Sequence, residues 1–551
     1  MELLYSRGCN RFFLTIFVEN NLMPTDCISY QSSGYFTPLI KDYLEQKEQL
    51  KPLYNRFPSM DHFKQQLLEK ASNYTQSHRD ILAAELHSQN LGIGMSHQTQ
   101  TNIDLLRNEN TFTITTGHQL NLFTGPLYFL YKIISAINLS KHLKLEYPEY
   151  NFVPVYWMAT EDHDFEEINY FTFRGKKFRW NRQSSGPVGK LDTAGLEDIL
   201  KLLSLDFGTG KNADYLRKLF QNAYLKHQNL AEATRFLANE LFAEYGLVIL
   251  DADCVALKKL FIPYAKRELI DQVAYQKVSE TNKMLAHYNI QVNPREINLF
   301  YIKNNLRERI IFSEENYFVN NTDIQFTPEE IITELNDYPQ RFSPNVVMRP
   351  LYEEVILPNL CYIGGGGEIA YWLELKSYFE ASDVTFPILL VRNSVLLATK
   401  KQAKKADALN LSWADLFLKQ QELLNKKTHQ LSEFPIDLSP QKEQLKQQFK
   451  LLYELVQKTD KSFSGAVKAQ EAKQIKGLEM LEKRLLKAQK RKHAAELDRI
   501  VDLQNELFPF QGLQERQKNF SEFYIEAGES LIHTLVGELK PLEHEFKILV
   551  L

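Results

Sequence analysis

The 551-residue sequence predicts an α/β fold, a parallel sheet covered by helices on both faces, followed by a long helical arm. Three observations carry this. Short, nearly continuous apolar runs rich in β-branched and aromatic residues recur before residue 400, as strands buried on both faces require. Helical patterns lie between several of them, and strand–helix–strand alternation favours a parallel sheet. From about residue 439 Gly and Pro thin out while Lys, Glu, Gln and Leu dominate, the texture of long solvated helices.

In chain order, the expected strands are 112–116, 152–158, 247–251, 360–363 and 387–391, with a helix over 127–145 after the first. Residues 195–245 read as a helical insertion, and 298–326 as a small β-meander, giving a core over 23–400. The arm spans 401–510, and 511–551 form a C-terminal segment packing back on the core. Within the arm, helix 441–458 and a second helix flank the turn 459–465. Leu478, Leu481, Leu485 and Ala488 form a heptad seam, with Ala495 extending the row and Lys492 weakening it. One short partner helix cannot cover such a seam, so the hairpin is expected to pair with a second copy, making a homodimer. The basic cluster Lys487, Lys490, Arg491, Lys492 and His493 is balanced by Glu479, Glu482, Glu496 and Asp498, and reads as a solvated face, with a phosphate or nucleic-acid contact as the alternative.

Composition narrows the classes of function. Hydrophobic residues make up 44% and charged residues 24%, which excludes a disordered or multi-span chain. Lys+Arg of 65 against Asp+Glu of 69 leaves a net charge of −4, so no bulk attraction to nucleic acid or an anionic membrane is expected. Cys9, Cys27, Cys254 and Cys361 are scattered without metal spacing, which suits a reducing cytoplasm. Arg7 and Arg11 precede an apolar run at 12–18, but Glu19 follows where a small-residue cleavage site would stand. Translation is therefore expected to start at Met23, with residues 1–22 an upstream extension.

Three constellations carry chemistry. The first, TTGHQLNLFTGPLY (115–128), runs from a strand into a helix. Gly117 allows a sharp turn, Gly125 and Pro126 set the helix start, and His118 and Gln119 stand at the carboxyl end of the strand, where open α/β sheets place ligands. It is neither a P-loop nor a GxGxxG loop, and a plain connecting loop is the alternative. The second, 159–169, packs Glu161, Asp162, His163, Asp164, Glu166 and Glu167 before Asn169. Such a cluster serves a divalent metal, a general acid–base pair or an amine pocket, or else an acidic helix cap. The third is Gly364, Gly365, Gly366, Gly367 and Glu368, again between a strand and a helix. Four glycines admit a ligand close to the backbone, and Glu368 suits an ammonium or hydroxyl group. Arg349 and Arg392 flank the same sheet and can hold a carboxylate or phosphate, or form ordinary ion pairs.

Four motifs together resemble the BshC family, the cysteine ligases of bacillithiol biosynthesis. They are TTGHQLNLFTGPLY, VPVYWMATEDHDFEEIN, SPNVVMRPL with GGGGEIAYW, and LFPFQGLQER at 507–516, in that order. The family pattern has Gln at His118 and Pro at Gly366, so His118 enters as a binding candidate only. The resemblance implies a Rossmann-like core related to nucleotidylyl transferases and class I synthetases, with a C-terminal coiled coil that makes a homodimer. It implies a reaction joining the carboxyl group of cysteine to the amine of glucosaminyl-malate. ATP or another nucleotide, with Mg²⁺, would activate the carboxyl group as an adenylate or acyl-phosphate. On this reading Asp162, His163 and Asp164 are catalytic. Gly117, His118, Gln119, Gly125, Pro126, Glu161, Asn169, Arg349, Gly364, Gly365, Gly367, Glu368 and Arg392 bind substrate or nucleotide, and the metal ligands stay open. The alternatives are a metal-dependent hydrolase built on 161–166 and a non-enzymatic coiled-coil adaptor.

Overall fold

Five mutually parallel strands form the central sheet: β1 (Thr111–His118), β2 (Asn151–Met158), β3 (Val248–Asp251), β4 (Asn359–Gly364) and β5 (Ile388–Val391). Their spatial order is β3-β2-β1-β4-β5, the doubly wound Rossmann arrangement. The computed structural model describes residues 26–91, 93–303, 305–460 and 462–551. The expected start at Met23, the apolar run at 12–18 and Cys9 lie outside these residues.

Side-chain alternation explains why both faces are covered. On β2, Val153, Val155 and Trp157 enter one hydrophobic cluster while Tyr156 and Met158 enter another. Pro154 sits one residue before β2 gains β3 as its second neighbour, so its missing N–H falls where the strand has only β1 beside it. Helix α1 (Tyr128–Glu146) follows β1, and the helices Leu196–Phe207, Lys211–Leu225 and Leu230–Phe242 fill the insertion after β2.

The second insertion is an antiparallel sheet of Gln325–Phe326, Asn316–Val319, Leu306–Ser313, Leu299–Lys303 and Phe342–Pro344. The last strand lies outside the expected 298–326 meander. Three residues ending in proline carry too short a pattern to read. It leads directly into α2 (Arg349–Ile356), and α3 (Gly366–Trp372) follows β4.

The arm is an antiparallel hairpin of α4 (Ser439–Val456) and α5 (Ser462–Lys492). Lys442 pairs with Glu482 at 2.5 Å and the Tyr453 hydroxyl donates to Glu471 at 2.8 Å, which fixes the register. Leu478 and Leu485 are half-buried and Leu481 is 53% exposed, so the seam is only partly covered within one chain. Ala495 does not extend the row: the backbone breaks at His493 (φ −104°, ψ 20°), and Ala495 is exposed on α6 (Ala494–Leu507). In the basic cluster, Lys490 donates to Asn425 and Lys492 pairs with Glu433 at 3.0 Å. The C-terminal strand Glu545–Val550 lies between Asp26–Ser29 and Ser394–Ala398. Among the described residues no helix is long and apolar enough to cross a membrane.

Candidate active site

The strand order reverses between β1 and β4, and the carboxyl ends of these two strands open a crevice there. A cavity of about 300 Å³ fills it. From the sequence candidates it gathers Gly117, His118, Gln119, Arg349, Gly365, Gly367, Glu368 and Arg392. A second cavity of about 420 Å³ adjoins it under the meander and takes Glu161, Asp162 and His163. Gln119, Trp157, Ala159 and Arg349 line both.

The first and third motifs are joined by a lysine. Lys132, one turn into α1, bonds the Gly117 carbonyl at 2.8 Å and pairs with Glu368 at 2.6 Å. Glu368 also accepts from the Gly365 N–H at 2.8 Å and the Tyr362 hydroxyl at 2.9 Å, so it caps its own helix. Burial works against its charge, but Lys132 and these donors outweigh it and hold the carboxyl below its ordinary range. Glycine is required at 364, where a Cβ would meet Glu368 Cβ at 2.9 Å. Gly364 therefore shapes the helix start and does not line the cavity.

His118 is buried between Tyr128 and Phe129, with Nε2 unpartnered. Burial, with Lys132 and Arg392 nearby, pulls its pKa well below the ordinary imidazole value. The ring is therefore neutral at neutral pH. Beyond Gln119 the first motif turns away. Phe123 and Thr124 adopt positive φ (48° and 68°), and Gly125 follows at 62°. Asn519 clamps this strained turn by donating to the carbonyls of Phe123 (2.7 Å) and Gly125 (2.6 Å). Gly125 and Pro126 thus face the C-terminal segment, α1 starts two residues after Pro126, and neither residue lines the cavity.

The acidic motif is dispersed by its partners. Glu161 pairs with Lys258 at 2.5 Å. Asp162 accepts from Gln119 at 2.6 Å and from the His163 N–H at 2.7 Å, with Arg307 at 3.9 Å. Burial would raise the Asp162 pKa, but these donors and Arg349 hold the carboxyl far below its ordinary range. Arg307 donates to His163 Nδ1 at 2.6 Å. Asp164 is exposed and caps the helix Phe165–Ile168 through the Glu167 N–H, outside both cavities. Glu166 pairs with Arg179, and buried Asn169 packs behind them. Among the described residues no group of three His, Cys, Asp or Glu side chains converges on a metal position.

Three further groups complete the first cavity. Glu353, on α2, is buried with Oε1 unpartnered. Burial, reinforced by neighbouring Glu354, pushes its carboxyl well above the ordinary range. Arg516, from LFPFQGLQER, reaches the cavity from the C-terminal segment. Its neighbour Glu515 pairs with Arg392 at 2.6 Å in a buried bridge, while Arg392 Nε stays unpartnered. A lone lysine in the apolar run YFLYKIISAI and the acid pair in RPLYEEVIL were the available sequence signals for Lys132 and Glu353.

A family model described as "Bacillithiol biosynthesis BshC, N-terminal Rossmann-like domain" matches residues 23–393. A second, "Bacillithiol biosynthesis BshC, C-terminal coiled-coil domain", matches 395–551. A protein of Flavobacterium johnsoniae is 66% identical over 529 residues, covering 96% of this chain and 100% of its own. One of Cytophaga hutchinsonii is 39% identical, covering 93% and 96%. One of Bacillus cereus strain AH187 is 28% identical, covering 87% and 92%. Each bears the name "Putative cysteine ligase BshC".

Proposed function

The chain belongs to the BshC family, and from that premise we propose that it joins the carboxyl group of cysteine to the amine of glucosaminyl-malate, forming bacillithiol. The observation that carries this reading is the switch-point cavity, which sets cationic Arg349 and Arg516 beside the buried, unpaired carboxyl of Glu353. Guanidiniums suit a carboxylate substrate. An amine arrives as an ammonium ion and must lose a proton before it can attack. Glu353, with its raised pKa, is the group suited to accept that proton. Asp162, held far down, is a poor base and instead fixes Gln119 at the junction of the two cavities. The C–N bond forms as a carboxyl oxygen of cysteine departs with its activating group.

ATP or another nucleotide with Mg²⁺ would supply that activation. Arg392 and Arg516 would hold its phosphates, since both line the first cavity and the unpartnered Arg392 Nε calls for an acceptor. The hydrolase alternative finds no metal position in 161–167: among the described residues no three of these side chains converge, and Glu161, Asp162 and Glu166 are engaged by Lys258, Gln119 and Arg179.

Mass spectrometry of purified protein with cysteine, glucosaminyl-malate and nucleotide is expected to show bacillithiol and cysteine-dependent AMP or ADP. Intact substrates with every component present would overturn the reading.

On the same reading the protein works in the cytoplasm as a homodimer built on the arm. Support comes from Leu451, Leu455, Met480 and Leu481, each at least 50% exposed along α4 and α5. Leu481→Lys is expected to shift the sedimentation coefficient from dimer to monomer. An unchanged coefficient would remove this surface from the interface.

A further inference from the structure

We propose that the second cleft binds the two carboxylates of a dicarboxylate, which, resting on the reading above, belong to the malyl group of the amine partner. The cleft lies between the carboxyl ends of β1–β3 and the meander. Strand alternation explains its chemistry: along Leu306–Ser313, Arg307 and Arg309 share the face turned to the cleft. Arg349 enters from the start of α2, and exposed Arg295 from the segment before the meander.

Among the described residues two carboxylates, Glu161 and Asp162, line the cleft with these four guanidiniums, and Asp253 acts on Arg307 as well. Glu161 is engaged by Lys258, and Asp162 by Gln119 and the His163 N–H. Among the described residues Arg295, Arg309 and Arg349 have no carboxylate within ion-pair distance, and Arg309 Nε is buried without any acceptor. A buried donor left unmade is costly, so the site is built for an acceptor that the chain does not supply.

The volume of about 420 Å³ suits a small molecule. Arg307 and Arg309 from the meander and Arg349 from the start of α2 bring donors from two separate elements, which suits a ligand carrying more than one carboxylate. Trp157 and Phe300 supply apolar wall, which strengthens such pairing. Arg349 and Gln119 line both cavities. A molecule held here by its carboxylates therefore presents its other end to the cavity that contains Glu353.

Calorimetric titration of the full chain with L-malate alone tests the proposal, with inorganic phosphate as the competing anion. Malate is expected to bind, and Arg309→Gln to weaken it by about ten- to a hundredfold, the worth of one charged hydrogen bond. Arg295→Gln, at an exposed position where folding is not at stake, should weaken it severalfold. In the ligase assay both variants should raise KM for glucosaminyl-malate while leaving KM for cysteine unchanged. Equal malate affinity in all three proteins, no malate binding at millimolar concentration, or tighter binding of phosphate would each overturn the subsite. Arginine-dependent malate binding without any ligation would retain the subsite and overturn the ligase reading. Ligation with malate binding indifferent to Arg309 would do the reverse.

Discussion

Glu353→Gln is expected to lower the rate of amide formation by about 10²- to 10⁴-fold, the usual contribution of a positioned general base. The same substitution is expected to raise the melting temperature at neutral pH. Both effects follow from one buried carboxyl with an unpartnered oxygen. Burial, with Glu354 adjacent, lifts its pKa well above the ordinary 4.5. A carboxyl raised on folding contributes stability that is fully present below 4.5 and is lost as pH rises through the folded value. Glutamine is neutral at every pH, so its advantage over Glu353 grows with pH and vanishes below 4.5. Activity moves in the opposite direction. The wild-type rate should climb as Glu353 ionises, and the Gln variant should lose that limb of the profile. A pH–rate profile and melting curves at several pH values check both signs. A variant that keeps the limb would remove Glu353 from proton transfer, whatever its stability.

The sheet was legible because its strands are buried on both faces. Such strands need unbroken apolar runs, and 112–116, 152–158, 247–251, 360–363 and 387–391 each mark a strand to within two residues. The placement of the motifs followed from the same logic. Gly117 at the end of β1 and Gly365 just after β4 stand on neighbouring parallel strands, so they meet at the switch point. What local pattern could not show was pairing across the chain. The density of acids at 161–167 suggested a common metal or acid–base site; most of them do share one open cavity, but Lys258, Gln119 and Arg179 engage Glu161, Asp162 and Glu166 one by one. Arg307 and Arg309 carry no local signal of their own, and the fold alone brings the meander that bears them to the ends of β2 and β3. Glu353 and Glu354 look like a solvated helix face, yet both are buried, and only Glu354 finds a cation, Lys70 at 3.0 Å. Dispersed groups of this kind leave no spacing signature.

Glu515→Gln is expected to cost about 3–5 kcal/mol of stability, the effect of breaking a buried ion pair from one side. The Arg392 and Glu515 side chains are only 5% and 1% exposed, so water cannot take over either charge. Glu515 also accepts from the Val395 N–H at 3.2 Å, and adjacent Gln514 bonds both backbone groups of Leu397 at 3.0 and 2.9 Å. The C-terminal segment is thereby tied to the strand Ser394–Ala398. Arg392 in turn holds Tyr128 beneath its guanidinium at the cavity wall. Removing the Glu515 charge leaves a buried guanidinium uncompensated and frees it to reach into the cavity. The denaturation midpoint should therefore fall and KM for nucleotide should change together. Replacing both partners, Arg392→Met with Glu515→Met, should recover most of the stability, because a buried pair exchanged for apolar groups is close to neutral. It should not recover the KM, since Arg392 itself lines the site. If the double variant regains both, Arg392 acts only as a structural tie. If it regains neither, the segment is anchored through Gln514 and the backbone bonds rather than through the ion pair.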